Sequence, residues 1–295
     1  MHIGYTALAL SVLAWPTFAK TGHTELSTST TTPSVAAENT AQDAATQFAD
    51  AKKLLNQNSS MTDLQQGLIG LERAAAQHYA PALFELANLY EKGGYVKQDI
   101  AKAVSLYEQA AKQGHVNSQY NVGLLYLRVL KDTDKARYWL EQAAQQQDTK
   151  AQYNLALLYS LTKGKQADAE EATYWYTQAA QNGHKNAQFD LGVRYLQGIS
   201  IAKNLPQAAY WFQKSAEQGD PAAAFNLGLM YEQGEGVSKD ITKAIRWYRE
   251  AAQQGEAGAQ YNLGIKYLLG EGVKQDHETG VNWIRQAAEG GNPAA

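Results

Sequence analysis

Seven times along the chain an Asp or Asn stands four residues ahead of a small residue in an apolar, helix-patterned stretch: Asp63, Asp99, Asp132, Asp168, Asn204, Asp240 and Asp276. The successive spacings are 36, 33, 36, 36, 36 and 36 residues. A fixed period in this range is the mark of a stacked-repeat architecture. Each unit is a helical hairpin whose apolar face can be buried only against neighbouring units. The expected fold is all-α, a right-handed α/α solenoid of about seven helix-turn-helix repeats.

The repeats align as 44–79, 80–115, 116–148, 149–184, 185–220, 221–256 and 257–292, and 293–295 open a further unit that does not continue. In each second helix the apolar residues recur at helical spacing, as in Ala172, Trp175, Tyr176, Ala179 and Ala180. Trp139, Trp175, Trp211, Trp247 and Trp283 fill one column, with Leu106 and Gly70 at its earlier positions. The periodic Asp or Asn should sit just ahead of each second helix and accept an otherwise unpaired amide hydrogen, which accounts for it without a metal. Each first helix carries a small residue at one register (Ala87, Gly123, Ala156, Gly192, Gly228, Gly264), where helices should approach closely. Gly234-Glu235-Gly236-Val237 and Gly270-Glu271-Gly272-Val273 supply residues able to take positive φ between the helices.

Composition narrows the function. Net charge is −3, with Lys and Arg dispersed, so nucleic acid is not an expected partner. There is no cysteine, hence no thiol chemistry and no disulfide. The histidines His78, His115, His184 and His277 form no His-x-x-x-His or His-Glu-x-x-His pair and read as solvated loop residues. The Gly-x-Gly pairs follow no strand and precede no Gly-Lys-Ser/Thr, which argues against a phosphate loop. No catalytic constellation, cofactor site or metal site is expected.

Residues 1–19 differ from the rest. Ile3 to Trp15 is largely apolar and Thr17-Phe18-Ala19 offers a small residue before a cut, as in a secretory signal peptide. The alternative is an uncleaved anchor, but about 13 apolar residues fall short of the roughly 20 needed to span a bilayer. A Ser/Thr-rich tether over 20–43 follows. The expected location is periplasmic or secreted, with no transmembrane span.

The pattern Ala-x-x-x-Leu-Gly-x-x-Tyr, then Gly-x-Gly-Val-x-x-Asp, then Lys-Ala-x-x-Trp-Tyr-x-x-Ala-Ala-x-x-Gly resembles the Sel-one-like repeat, a relative of the tetratricopeptide repeat. Ala223 to Gly255 reproduces it nearly in full. The resemblance is strong over 80–292 and weak over 44–79, where Phe48, Ala51, Leu54, Asp63, Ala74 and Ala75 keep register. Repeat 116–148 departs by a three-residue deletion between its helices and lacks the loop glycines. The resemblance implies a non-enzymatic scaffold or adaptor for a protein or peptide partner, often at bacterial envelopes. It leaves open an immunity protein against a lipase-type toxin, an envelope signalling, motility or exopolysaccharide regulator, and a host-interaction protein. A hydrolase like the penicillin-binding, cysteine-rich members is a poorer match for a chain without cysteine.

A binding surface should involve the polar window of the first helices: Asn121, Asn154, Asp190, Asn226 and Asn262, with Arg128, Arg194 and Lys266 nearby. In tetratricopeptide arrays, first helices line the groove and a comparable Asn holds a peptide. The competing reading is structural, with the Asn column tying adjacent repeats together through the main chain. The aromatic columns, including Tyr126, Tyr159, Tyr195, Tyr231 and Tyr267, should be core. At the C-terminal end Val281, Trp283, Ile284 and Ala287 keep the internal pattern, so that end face should be partly apolar and suited to self-association.

Overall fold

The computed structural model describes residues 43–55, 59–161 and 166–295, and the expected signal segment and nearly all of the tether lie outside them. The described residues form paired helices: α1 (Ala44–Leu54) with α2 (Met61–Ala76), α3 (Ala80–Lys92) with α4 (Ile100–Lys112), and α5 (Val116–Leu125) with α6 (Thr133–Gln145). They continue as α7 (Thr149–Leu161), α8 (Gln166–Gln181), α9 (Lys185–Gln197), α10 (Leu205–Ala216), α11 (Pro221–Gln233), α12 (Ile241–Gln253), α13 (Ala257–Leu269) and α14 (His277–Glu289). Such repeating helix pairs make an α-solenoid. Two compact units divide between Ala151 and Gln152.

In the first unit, α1 to α6 share one core that runs from Ala51 to Trp139 and contains the fully buried Leu71 and Tyr107. In the second, Phe212, Leu227, Met230, Tyr248 and Leu263 anchor a core drawn from α9 to α13. The small-residue column does bring helices together. A Cβ added at Gly192 would lie 2.8 Å from the Phe212 ring, and one at Gly228 would lie 2.7 Å from the Tyr248 ring. Glycine thus lets the large aromatic of the second helix pack directly on the first-helix backbone, which outweighs its weak helix propensity.

The periodic caps appear where expected at five of seven positions. Asp99, Asp132, Asn204, Asp240 and Asp276 accept from the amides of Lys102, Lys135, Gln207, Lys243 and Thr279 at 2.9–3.0 Å. Asp63 and Asp168 are corrections. Helices α2 and α8 run to 16 residues and take both aspartates inside their first turns. At α2 the cap is Ser60, and Asp63 completes a reciprocal capping box with it. The histidines need a second correction: His115 and His184 are half-buried and cap α5 and α9, their Nδ1 atoms accepting from Ser118 and Ala187. Their position one residue ahead of a first helix carries that role, which Asp148 and Asp220 fill elsewhere.

In the tryptophan column Trp139, Trp175, Trp211 and Trp247 are buried, with Trp211 9 % exposed. Of the tyrosine column Tyr126 is buried and Tyr195, Tyr231 and Tyr267 are half-buried. Lys102 lies over the Tyr90 ring at 4.0 Å, and Lys135 and Lys243 cover Tyr126 and Tyr231 in the same manner. At the C-terminal end Trp283 and Ile284 are half-buried and Val281 is exposed.

Candidate functional site

Repeat 116–148 absorbs its deletion in the last turn of its first helix. Tyr126 to Leu130 widen into a π-turn, Lys131 takes φ 58°, and the Asp132 amide still reaches the Tyr126 carbonyl at 2.9 Å. The longer connection of the preceding repeat makes the same closure, Asp99 to Tyr90 at 2.9 Å, and buries Val96 over the turn. With that covering segment shortened, Val129 and Leu130 are left 52 % and 47 % exposed.

A cleft of about 470 Å³ opens here between α3 and α5. Leu124, Leu125 and Val129 give it apolar surface, and Asn88, Glu91, Lys92, Asn121 and Arg128 supply polar groups. Behind its polar lining the fully buried Tyr107 donates its hydroxyl to Glu91 at 2.6 Å, with the Asn88 side-chain oxygen at 2.7 Å, and accepts from the Asn121 amide at 3.2 Å. Burial, reinforced by Glu91, holds the Tyr107 hydroxyl far above its ordinary range, so it acts as a fixed donor rather than an acid. A second cavity, also of about 470 Å³, is lined by Phe84, Tyr120, Asn121 and Lys150 among others. Asn121 lines both, so the two meet at one amide along α5.

The remaining candidate residues have other surroundings. Arg194 is 9 % exposed, donates to Thr173 and Ser160 at 2.9 Å each, and stacks over Tyr176 at 4.6 Å. Lys266 is 8 % exposed and bridges Glu232 and Glu271 at 2.5 and 2.6 Å. Burial alone would lower its ammonium, but the two carboxylates outweigh that and hold it above its ordinary range. Both cations occupy a register filled elsewhere by Leu89, Leu125, Leu158 and Met230, which is why they point inward. Arg128 stands three residues further along its helix than that register and reaches the cleft.

In the Asn column, Asn154 and Asn226 are buried and Asn262 is half-buried. Asn226 donates to the Ala222 carbonyl at 2.8 Å, one turn back on its own helix. Asp190 is the acid among these five, half-buried beside Tyr153 and Arg194, and Glu85 holds the same register in 80–115. Burial pushes its carboxyl up to about 7 against the lowering pull of the Tyr153 hydroxyl and of Arg194. Adjacent repeats are tied by the Asn121 amide, which reaches Tyr107 of the preceding repeat, and by glutamines: Gln119, Gln188 and Gln260 donate to the carbonyls of Ala111, Ala180 and Ala252 at 3.0–3.2 Å. The sequence signal for these ties is the Gln two residues ahead of the Asn column. Asn88, Lys92 and the apolar cleft residues were missed, because Asn88 shares its register with Leu124, Leu229 and Ile265.

Among the described residues no group of three His, Cys, Asp or Glu could hold a metal, and no helix is long and apolar enough to cross a membrane. The site is a trough with side-chain amides, apolar surface and cations at its edge.

Comparison with known proteins agrees with the repeat register. The Sel1 repeat model matches residues 80–115, 116–148, 149–184, 185–220, 221–256 and 257–292. A Sel1 repeat protein from Oxalobacter formigenes shares 32 % identity, with 85 % of this chain and 74 % of that one covered and a TM-score of 0.71. The protective antigen c5321 of uropathogenic Escherichia coli strains, which displays an SLR fold, shares 29 % identity with a TM-score of 0.53. That match covers 85 % of this chain and 62 % of the antigen's length. Immunity protein Pa5087 from Pseudomonas aeruginosa stands at 22 % identity, 71 % and 81 % coverage and a TM-score of 0.38, too slight a likeness to bear on function. No curated protein matches. With six consecutive repeats matched, the chain belongs to the Sel1 repeat family.

Proposed function

We propose that this chain is an exported, non-enzymatic scaffold of a bacterial envelope that holds a segment of a protein partner in the trough along α5. The observation that carries the proposal is the cleft between α3 and α5. It occurs where the repeat has lost its covering segment and combines apolar surface with hydrogen-bonding groups. Repeats of this family and their tetratricopeptide relatives present such surfaces to protein partners. Export is argued from Ile3 to Ala19 alone, and N-terminal sequencing of the envelope protein should find a mature chain starting near Lys20. An intact Met1 on cytoplasmic protein would remove that part of the proposal.

The partner's identity separates a toxin-neutralising role from envelope signalling, motility or exopolysaccharide control. Co-purification from envelope extracts with the intact chain and with Val129→Asp tests the trough directly. A partner retained by the first and lost by the second is expected, and retention by both would move binding elsewhere. Purified protein should not hydrolyse nitrocefin, and turnover would overturn the non-enzymatic reading.

A further inference from the structure

Lys92 and Arg128 occupy the same register in consecutive repeats, the last turn of one first helix and the π-turn of the next. Later repeats place Leu161, Gln197, Gln233 and Leu269 there, so the pair is particular to this cleft. Among the described residues neither cation makes an ion pair. The neighbouring acids are already engaged: Glu91 accepts from Tyr107 at 2.6 Å, Glu85 from Lys52 at 2.5 Å, and Glu108 from Tyr126 at 2.7 Å. In a chain of net charge −3, the edge of this cleft thus carries two positive charges without an ion-pair partner.

We infer that the partner segment bound here is an acidic peptide with an apolar anchor. An aliphatic or aromatic side chain sits against Leu124 and Val129, and carboxylates on either side of it face Lys92 and Arg128. The Asn88 and Asn121 amides face its backbone. The inference rests on the trough being the binding surface. Exposed ion pairs add little affinity singly, so the cations act chiefly on which sequences are accepted and on salt dependence. Glu91 enforces the order of groups, since a second carboxylate driven into the cleft would meet it.

A phage-displayed random dodecapeptide library selected on the full mature chain tests this. Enriched peptides should carry Asp or Glu beside Leu, Ile, Phe or Trp. A synthetic copy of the best one should lose about tenfold in affinity to Lys92→Gln/Arg128→Gln, and by a similar factor when its acids become amides. Raising salt should weaken the wild-type complex more than the double variant's. Helicity of both variants by circular dichroism guards against misfolding, since Lys92 is exposed but Arg128 is half-buried. Enriched peptides without acids, or acidic peptides bound equally by the double variant, would overturn the inference. If such peptides are still lost with Val129→Asp, the trough reading survives its failure. If no enriched peptide responds to Val129→Asp, or none is enriched, both readings fall.

Discussion

Asp190→Asn should make the protein more stable, and only where the aspartate would be charged. The column supplies the substitute, because Asn154, Asn226 and Asn262 occupy the same register in neighbouring repeats. The Asp190 carboxyl moves from an ordinary 3.8 to about 7, chiefly through burial. At about 1.4 kcal/mol per unit, the full shift corresponds to an upper bound of about 4 kcal/mol. Asp190 is half-buried, and partial solvation reduces this to about 2 kcal/mol. A raised folded-state value means the folded form holds its proton while the unfolded form has lost it. Asp190 therefore costs nothing below about pH 4, its cost grows as pH rises, and it is complete above about pH 7. The groups facing it, Tyr153 from α7, Tyr176 from α8, Arg194 on α9 and Asp220 ahead of α11, are common to both proteins. Their own titrations largely cancel in the difference. Urea unfolding followed by circular dichroism across pH 4.5 to 8.5, with fragments 152–295 monitored by hydrogen exchange in the intact chain, reads it. The stability gap between Asp190→Asn and wild type should open with rising pH to about 2 kcal/mol. A gap that is flat, or that closes as pH rises, would refute the argument.

Trp211→Ala should cost about 3–5 kcal/mol, felt most in the flanking repeats, and a loss below about 1 kcal/mol in thermal or urea unfolding would show that its column is not core. Gly228→Ala should destabilise by about 1–3 kcal/mol, because the new methyl lands 2.7 Å from the Tyr248 ring, whereas Gly255→Asn should cost about 1 kcal/mol, from its φ of 86° and not from crowding, since nothing lies near its Cβ position. Equal melting temperatures for Gly228→Ala and wild type would mean the helices can separate freely. Replacing Asn154, Asn226 and Asn262 together by Ala should lower stability more than partner affinity per folded molecule, given the burial of the first two. The reverse outcome would move the binding surface onto that column.

The fold was legible because one physical demand repeats: a hairpin that buries Trp211 and packs Phe212 on Gly192 needs similar residue sizes at the same spacing every time. Caps at Asp99 or Asp240 follow from local chemistry and were readable singly. Asp63 and Asp168 were misplaced because helix length depends on the preceding turn, which the period does not encode. The site was harder, because its character comes from departures from the repeat. Arg194 and Lys266 look like surface cations until their register is seen to be that of Leu158 and Met230, and they find partners inside. The cleft required knowing that a three-residue loss is taken up as a π-turn, which leaves Val129 bare and aims Arg128 beside Lys92.

The central claim, that the trough along α5 holds a protein partner, is most directly tested by a photo-crosslinking amino acid placed at Leu124 and, as a control, at the exposed Arg285 of α14. Illumination of the cells that make the protein should give a discrete protein adduct from Leu124, none from Arg285, and loss of the Leu124 adduct when Val129→Asp is added. No adduct at Leu124, or one that persists with Val129→Asp, would contradict the account.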